Sequence, residues 1–118
     1  MKLLSLLIAL FAFSAFAADV SGTWKGTAEL QGNTIERTFV FNVDGSKLTG
    51  ETTSEMMGKS VIADGKVNGD SVSFSITVKF QNNETKLNYK GVLSGDTLKF
   101  DVDGVAGQKI VYNCKRVS

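Results

Sequence analysis

The stretch that decides the fold runs from Ser71 to Phe80 and reads SVSFSITVKF. Every second side chain in this stretch is apolar, and the side chains between them are small or polar. The apolar positions are Val72, Phe74, Ile76, Val78 and Phe80. Because successive side chains of a strand point to opposite faces, this alternation predicts a β-strand with one buried face.

The same alternation recurs along the chain and separates eight predicted strands. They lie near residues 20–30, 35–43, 47–53, 60–67, 71–80, 85–93, 97–103 and 108–117. The connections are short, so we expect an antiparallel up-and-down order. A flat eight-stranded sheet would leave two exposed edges, and closure into a barrel removes both. The sequence therefore predicts an all-β fold, an eight-stranded antiparallel up-and-down barrel, with a two-sheet sandwich as the alternative.

The start of the chain has a different character from the rest. Lys2 precedes an apolar run, and Ala15-Phe16-Ala17 forms a small-x-small cleavage site. This pattern predicts a signal peptide over residues 1–17, removed on export, and a single β-barrel domain over residues 18–118. We therefore expect a secreted or periplasmic protein that has no stable membrane span after signal removal. Its 13 basic and 12 acidic residues form no block, so we expect no nucleic-acid partner.

Three similar segments predict tight hairpin turns, because each has Asp, Asn or Ser before a glycine. They are Asp44-Gly45-Ser46, Asn68-Gly69-Asp70 and Ser94-Gly95-Asp96. In an up-and-down order these turns lie at one end of the barrel together with both termini, and we call this the closed end. The opposite end, which we call the mouth, has connections at 31–34, 54–59, 81–84 and 104–107. These are longer or more varied, and the mouth is therefore the expected place for a ligand.

A tryptophan near the start and an arginine near the end form a further pattern. Gly22-Thr23-Trp24 lies on the first predicted strand, and Arg116 lies on the last. This resembles the lipocalin and calycin families, in which a Trp of the first strand packs under an Arg of the last strand. The resemblance implies a lipocalin-like barrel with Trp24 and Arg116 as a structural plug of the closed end. The chain lacks the several tryptophans of avidin-like barrels, which disfavours biotin as a ligand.

Arg37 is a charge on an apolar strand face, which it shares with Phe39 and Phe41. An unpaired buried charge is costly, so an inward arginine needs a partner. The resemblance to barrels that bind fatty acids implies that Arg37, with Tyr89 or Tyr112, meets the carboxylate of a ligand. Two alternatives stay open: Arg37 pairs with a rim carboxylate such as Glu55, or its side chain reaches out of the mouth into solvent.

The predicted ligand site at the mouth consists of Arg37, Met56, Met57, Phe80, Tyr89 and Tyr112. Methionine side chains adapt to variable apolar ligands, and the two adjacent methionines lie in the longest mouth connection. Alternatively, one of them folds back over the core as a lid. An eight-stranded barrel can be filled by its own side chains or hold one small ligand, and the sequence leaves this open.

The sequence argues against catalysis. The chain has no histidine, which removes Ser/His and Cys/His nucleophile pairs and histidine-containing metal sites. We expect no enzyme activity, no catalytic residue, no cofactor and no metal.

Cys114 is the only cysteine, so no internal disulfide can form, and we expect a small buried side chain rather than an intermolecular disulfide. The predicted function is non-catalytic binding of a small apolar or amphipathic ligand at the mouth. The alternative is a filled barrel that serves as a protein- or carbohydrate-interaction module.

Overall fold

The computed structural model describes residues 19–80, 82–103 and 109–118, with the side chain of Phe80 excepted. The predicted signal peptide and the predicted mouth connection 104–107 lie outside the described residues. The described chain is made of strands joined by short turns. These strands are β1 (Gly22–Leu30), β2 (Asn33–Asp44), β3 (Lys47–Ser54), β4 (Gly58–Val61), β5 (Ala63–Asn68), β6 (Ser71–Phe80), β7 (Asn83–Ser94), β8 (Thr97–Asp103) and β9 (Lys109–Arg116).

The strands form one antiparallel sheet that closes on itself. β1 pairs with β2 on one side and with β9 on the other, and β2 pairs with β3 to complete the ring. The predicted antiparallel up-and-down barrel of eight strands is confirmed, with one extra strand. The sandwich alternative is wrong because the described strands make one continuous ring and not two stacked sheets. Closure follows from the period-two pattern, since it buries one face of every strand without leaving an edge.

The extra strand arises because the predicted fourth strand is interrupted. β4 and β5 both pair with β3, and together they occupy one position of the barrel. Only Ile62 separates the two strands. At the start of β5, Asp64 has a positive φ of 54°, and the register with β6 shifts between Ala63 and Lys66. Gly65 follows, where an added Cβ would lie 2.1 Å from the carbonyl oxygen of Leu48. A bulge of this kind bends the strand, and the close approach of the backbones requires glycine.

The closed end is formed by three turns of the same kind. Each has glycine first, with a positive φ, and a polar residue second. The turn residues are Gly45-Ser46, Gly69-Asp70 and Gly95-Asp96, with glycine φ values of 65°, 61° and 60°. The carbonyl of each second residue accepts a hydrogen bond from the neighbouring strand, from the amides of Val67, Leu93 and Arg116 at 2.9, 2.9 and 3.2 Å. The amide of Thr23 also donates to the Ser118 carbonyl at 3.0 Å, so the predicted location of the turns and termini at one end is confirmed.

The mouth is tighter than the sequence predicts. Leu30 pairs directly with Asn33, so this connection has only two residues, Gln31 and Gly32, which both have positive φ. Phe80 likewise pairs directly with Asn83. The connections at 31–34 and 81–84 are therefore not longer than those of the closed end, although their sequences are more varied. Gln31, Gly32 and Asn82 have the positive φ that a two-residue hairpin needs. The connection between β3 and β4, residues 55–57, is longer.

Aromatic rings fill the middle of the barrel. The ring of Phe39 lies at the centre of the cluster, with centroids of five other rings within 6.3 Å of its own. These rings belong to Phe41, Phe74, Tyr89, Phe100 and Tyr112. Gly26 and Gly91 make room for them, because an added Cβ would lie 2.6 Å from the Cys114 sulfur or 2.5 Å from the Phe100 ring. Around Phe39 the interior of the barrel is therefore a packed core, as in barrels that are filled by their own side chains.

Candidate binding site at the mouth

At the closed end, Arg116 lies over Trp24. The guanidinium carbon of Arg116 lies 4.4 Å from the ring centroid of Trp24, which is fully buried. Arg116 also donates to the carbonyls of Ser21 at 2.7 Å and Asp19 at 2.9 Å, and the Trp24 indole donates to the Val20 carbonyl at 2.9 Å. These contacts satisfy the polar groups of both side chains within the protein itself.

Arg37 is buried with neutral partners only. It lies on β2 opposite Gly26, and its side chain is 4% exposed. One terminal nitrogen donates to the hydroxyl of Thr52 at 3.2 Å, and the other lies 3.5 Å from the hydroxyl of Ser54. The Nε atom is buried and has no hydrogen-bond partner. No ion pair involves Arg37 within the described residues, so the alternatives of pairing with Glu55 and of reaching into solvent are both wrong.

This arrangement leaves the charge of Arg37 uncompensated. Removing an ion from water costs several kcal/mol even after the protein has relaxed, and attraction to an opposite charge normally offsets that cost. Two hydroxyl dipoles offset only part of it, and the unpartnered Nε adds the penalty of a lost hydrogen bond. A planar guanidinium whose Nε–H has no partner suits a carboxylate or phosphate oxygen, because these groups accept charge-assisted hydrogen bonds.

Tyr89 and Tyr112 are buried and lie next to each other inside the barrel. Their ring centroids are 6.2 Å apart and their planes are inclined by 20°. Burial raises the pKa of the Tyr89 hydroxyl well above its ordinary value, and the positive charge of Arg37 opposes this rise. Tyr89 is therefore protonated at physiological pH, and the field of Arg37 acts on it. No hydrogen bond joins Arg37 to either tyrosine in the part of the chain that the structure describes.

The two methionines of the predicted site are placed differently. Met56 is 82% exposed, whereas Met57 is partly buried and packs against the core. The amide of Met57 donates to the Ser54 hydroxyl at 2.9 Å, which fixes this residue beside the partner of Arg37. Met57 thus covers the core as the lid alternative expects. Phe80, the remaining residue of the predicted site, has a side chain outside the described residues.

A groove lies at the rim beside Ser54. It has a volume of about 360 Å³ and lies between the first residues of β2 and the β3–β4 connection. Its lining consists of Thr34, Ile35, Glu36, Ser54, Glu55 and Met56. Because Ser54 is also a hydrogen-bond partner of Arg37, the groove and the buried guanidinium are separated by a single side chain.

Sequence reasoning missed Thr52 and Ser54. Both are buried and polar, on the inner face of β3. The period-two alternation that starts at Leu48 puts positions 50, 52 and 54 on the inner face. This alternation could have identified the partners of Arg37, because two inward hydroxyls on the strand next to β2 are suitable neighbours for an inward arginine.

Comparison with known protein families, curated proteins and solved structures finds no match for this chain. The lipocalin resemblance therefore stays a prediction that depends on Gly22-Thr23-Trp24 and Arg116. Within residues 19–80, 82–103 and 109–118, no three Cys, Asp or Glu side chains are grouped so that they could hold a metal ion. The same residues contain no helix of a length and hydropathy that could cross a bilayer.

Proposed function

We propose that this protein is an exported, non-catalytic barrel that binds a small amphipathic ligand in its mouth half, with the anionic head group of the ligand on Arg37. The observation that carries the proposal is the burial and incomplete hydrogen bonding of the Arg37 side chain. It is buried, its hydrogen bonds go to hydroxyls only, and its Nε has no partner. A bound carboxylate would supply the missing charge and the missing acceptor.

The packed aromatic core supports a small ligand rather than a large one. The rings around Phe39 occupy the middle of the barrel, so the apolar part of a ligand has only the space between this cluster and the rim. Half-buried apolar residues at this end include Leu30, Ile35, Met57, Leu87 and Ile110. A short apolar tail lies against such side chains, and the rim groove beside Ser54 offers a way in.

The second candidate is a filled barrel that acts through its outer surface, and the same aromatic cluster favours it. Binding of neutral carbohydrate fits this candidate poorly, since sugar rings usually stack on exposed aromatic side chains. The large apolar side chains that are exposed in the described residues are Val40, Met56, Val61, Val92 and Val117, and none is aromatic. A protein partner suits an outer surface of this kind better.

The experiment that tests the proposal compares two ligands that differ only in the head group. Isothermal titration of the mature protein with decanoate and with decanol separates the charged head from the apolar tail. We expect decanoate to bind more tightly. Arg37→Met should weaken decanoate binding at least about tenfold, as expected for a lost hydrogen bond to a charged group, and should leave decanol binding unchanged.

Arg37→Lys is the matched control, because it keeps the charge but loses the planar fork. We expect it to retain part of the preference for decanoate. Native mass spectrometry of protein from the exported fraction should show an extra mass that leaves on denaturation. Equal binding of decanol and decanoate by the wild-type protein, or no uptake of either together with a clean apo mass, would overturn the proposal.

A further inference from the structure

The outer surface has a groove on the side of the barrel formed by β1, β9, β8 and β7. It has a volume of about 700 Å³, and no residue of the mouth site lines it. Three outward lysines line it together with short side chains. We call it the lysine trough and define it by Lys25, Thr27, Val92, Lys99, Asn113 and Lys115; the buried side chains of Leu98 and Cys114 also line it.

The strand register concentrates positive charge in the trough. Lys115 lies directly opposite Lys25 on β1, and Lys99 is diagonal to Lys115 on β8. Directly opposite like charges destabilise a sheet. Lys25 is partly compensated by Glu36, with 3.7 Å between Nζ and the carboxylate oxygen. Lys99 and Lys115 make no ion pair within the described part of the chain.

A second pair of opposite lysines, Lys47 and Lys66 on β3 and β5, has an acidic cross-strand neighbour. On its other side Lys47 lies directly opposite Asp44 across the hairpin. Lys115 has no acidic residue in the equivalent position, because its other neighbour is Thr97. The charges of Lys99 and Lys115 are therefore available to an acidic partner.

The neutral residues of the trough indicate the chemistry of the partner. Val92 is 60% exposed and lies directly opposite Lys99, and Asn113 and then Thr27 continue this row across β9 and β1. One exposed valine offers an apolar contact but not the several inserted side chains that hold a protein on a lipid surface. Nucleic acid would need a larger excess of positive charge and aromatic side chains for stacking, and the chain is nearly neutral.

We propose that the lysine trough binds an extended acidic segment of another polypeptide. Carboxylates of the segment pair with Lys99 and Lys115, its backbone meets the hydroxyl and amide of Thr27 and Asn113, and an apolar side chain covers Val92. The trough is on the outside of the barrel, so this binding is independent of any ligand in the mouth.

The test uses fluorescence anisotropy with a labelled peptide of alternating Glu and Gly, and the same peptide with Gln in place of Glu as a control. We expect the mature protein to bind only the Glu peptide, with an affinity that falls as salt is added. The Lys99→Gln/Lys115→Gln double variant should bind about tenfold or more weakly, since each exposed charge contributes up to about fivefold.

The Lys47→Gln/Lys66→Gln double variant is the matched control, because it removes the same net charge from another part of the barrel. We expect it to bind within about twofold of the wild type. Thermal unfolding of both double variants checks that the fold is kept. Val92→Glu puts a negative charge into the trough and should abolish peptide binding.

Equal weakening of peptide binding by both double variants would show a net-charge effect and overturn the proposal. The absence of binding at low salt would also overturn it, as would displacement of the peptide by anionic vesicles or a uronate polysaccharide at lower concentration.

Discussion

The guanidinium carbon of Arg116 lies 4.4 Å from the centroid of the Trp24 ring, and the two residues are also directly opposite in the pairing of β1 with β9. The first and last strands of the described chain are thus joined by side chains as well as by backbone hydrogen bonds. Arg116 further contacts Asp96, with 3.6 Å between Nε and the carboxylate oxygen. One side chain therefore connects the N-terminal segment, the first strand and the third hairpin turn.

Replacing Arg116 should destabilise the fold. We expect Arg116→Met to lower the free energy of unfolding by about 2–4 kcal/mol, because it removes a cation–π contact and hydrogen bonds to two carbonyls. Urea denaturation measures the change. Lys109→Met, an exposed change on the same strand, is the control and should have little effect. If the free energy of unfolding fell by less than about 0.5 kcal/mol, Arg116 would contribute no more to stability than an ordinary surface residue.

Much of the fold could be predicted because period-two alternation and glycine turns are local signals. Side-chain parity alone assigns Trp24, Arg37 and Cys114 to the inner face, and all three are buried. The three glycine turns and the common location of the termini follow from the same local patterns. The barrel itself follows from the number of strands and the short connections between them, since a closed ring is the arrangement that leaves no edge.

The features that could not be predicted depend on contacts between strands that are distant in sequence. The register shift in β5 coincides with the close approach of Gly65 to the Leu48 backbone, which no local pattern encodes. Similarly, the partners of Arg37 follow from the register of β3 against β2, not from residues near it in sequence. Whether the barrel is filled was undecided, because it depends on rings from five strands meeting around Phe39.

Arg37 should reduce the stability of the ligand-free protein. We expect Arg37→Met to raise the free energy of unfolding by about 1–4 kcal/mol, because an apolar side chain of similar length replaces an incompletely compensated buried charge. Urea denaturation of protein stripped of ligand measures this. Thr52→Val, which removes one hydroxyl partner, should lower stability instead, since it leaves the charge with fewer acceptors. A loss of stability in Arg37→Met would indicate that Arg37 serves the fold rather than a ligand.

The pair of opposite lysines in the trough should also cost stability. Lys115→Thr removes the repulsion with Lys25 and introduces a β-branched residue, so we expect a gain of about 0.2–1 kcal/mol. Thermal unfolding should show this gain at low ionic strength, and it should shrink as salt screens the charges. Lys66→Thr is the control with the same chemistry. Its gain should be smaller because Lys47 also lies directly opposite Asp44, whereas the residue directly opposite Lys25 on β2 is Thr38. Equal gains would mean that strand propensity, not repulsion, is responsible.

The packed centre of the barrel should not tolerate an added methyl group. Gly91→Ala would place a Cβ 2.5 Å from the Phe100 ring, and overpacking of this kind costs about 1–3 kcal/mol. Val92→Ala, the neighbouring outward position, is the control and should be nearly neutral. If Gly91→Ala were also neutral in urea denaturation, the rings would have room to move, and a larger ligand could enter.

Cys114 should be unreactive in the folded protein. Its side chain is buried, and burial raises the pKa of the thiol to about 12. Thiolate is the reactive form, so alkylation at pH 8 should follow unfolding and be at least about tenfold slower than for the urea-denatured chain.

The raised pKa of Cys114 also makes stability depend on pH, because the folded state holds the thiol proton more tightly than the unfolded state. The stability that this provides is complete below the unfolded pKa near 9 and is lost as the pH rises toward 12. Cys114→Ala should remove this part of the alkaline loss of stability, measured as the difference in unfolding free energy between pH 8 and pH 11. Rapid alkylation of native protein, or an unchanged alkaline loss in the variant, would contradict the burial of this thiol.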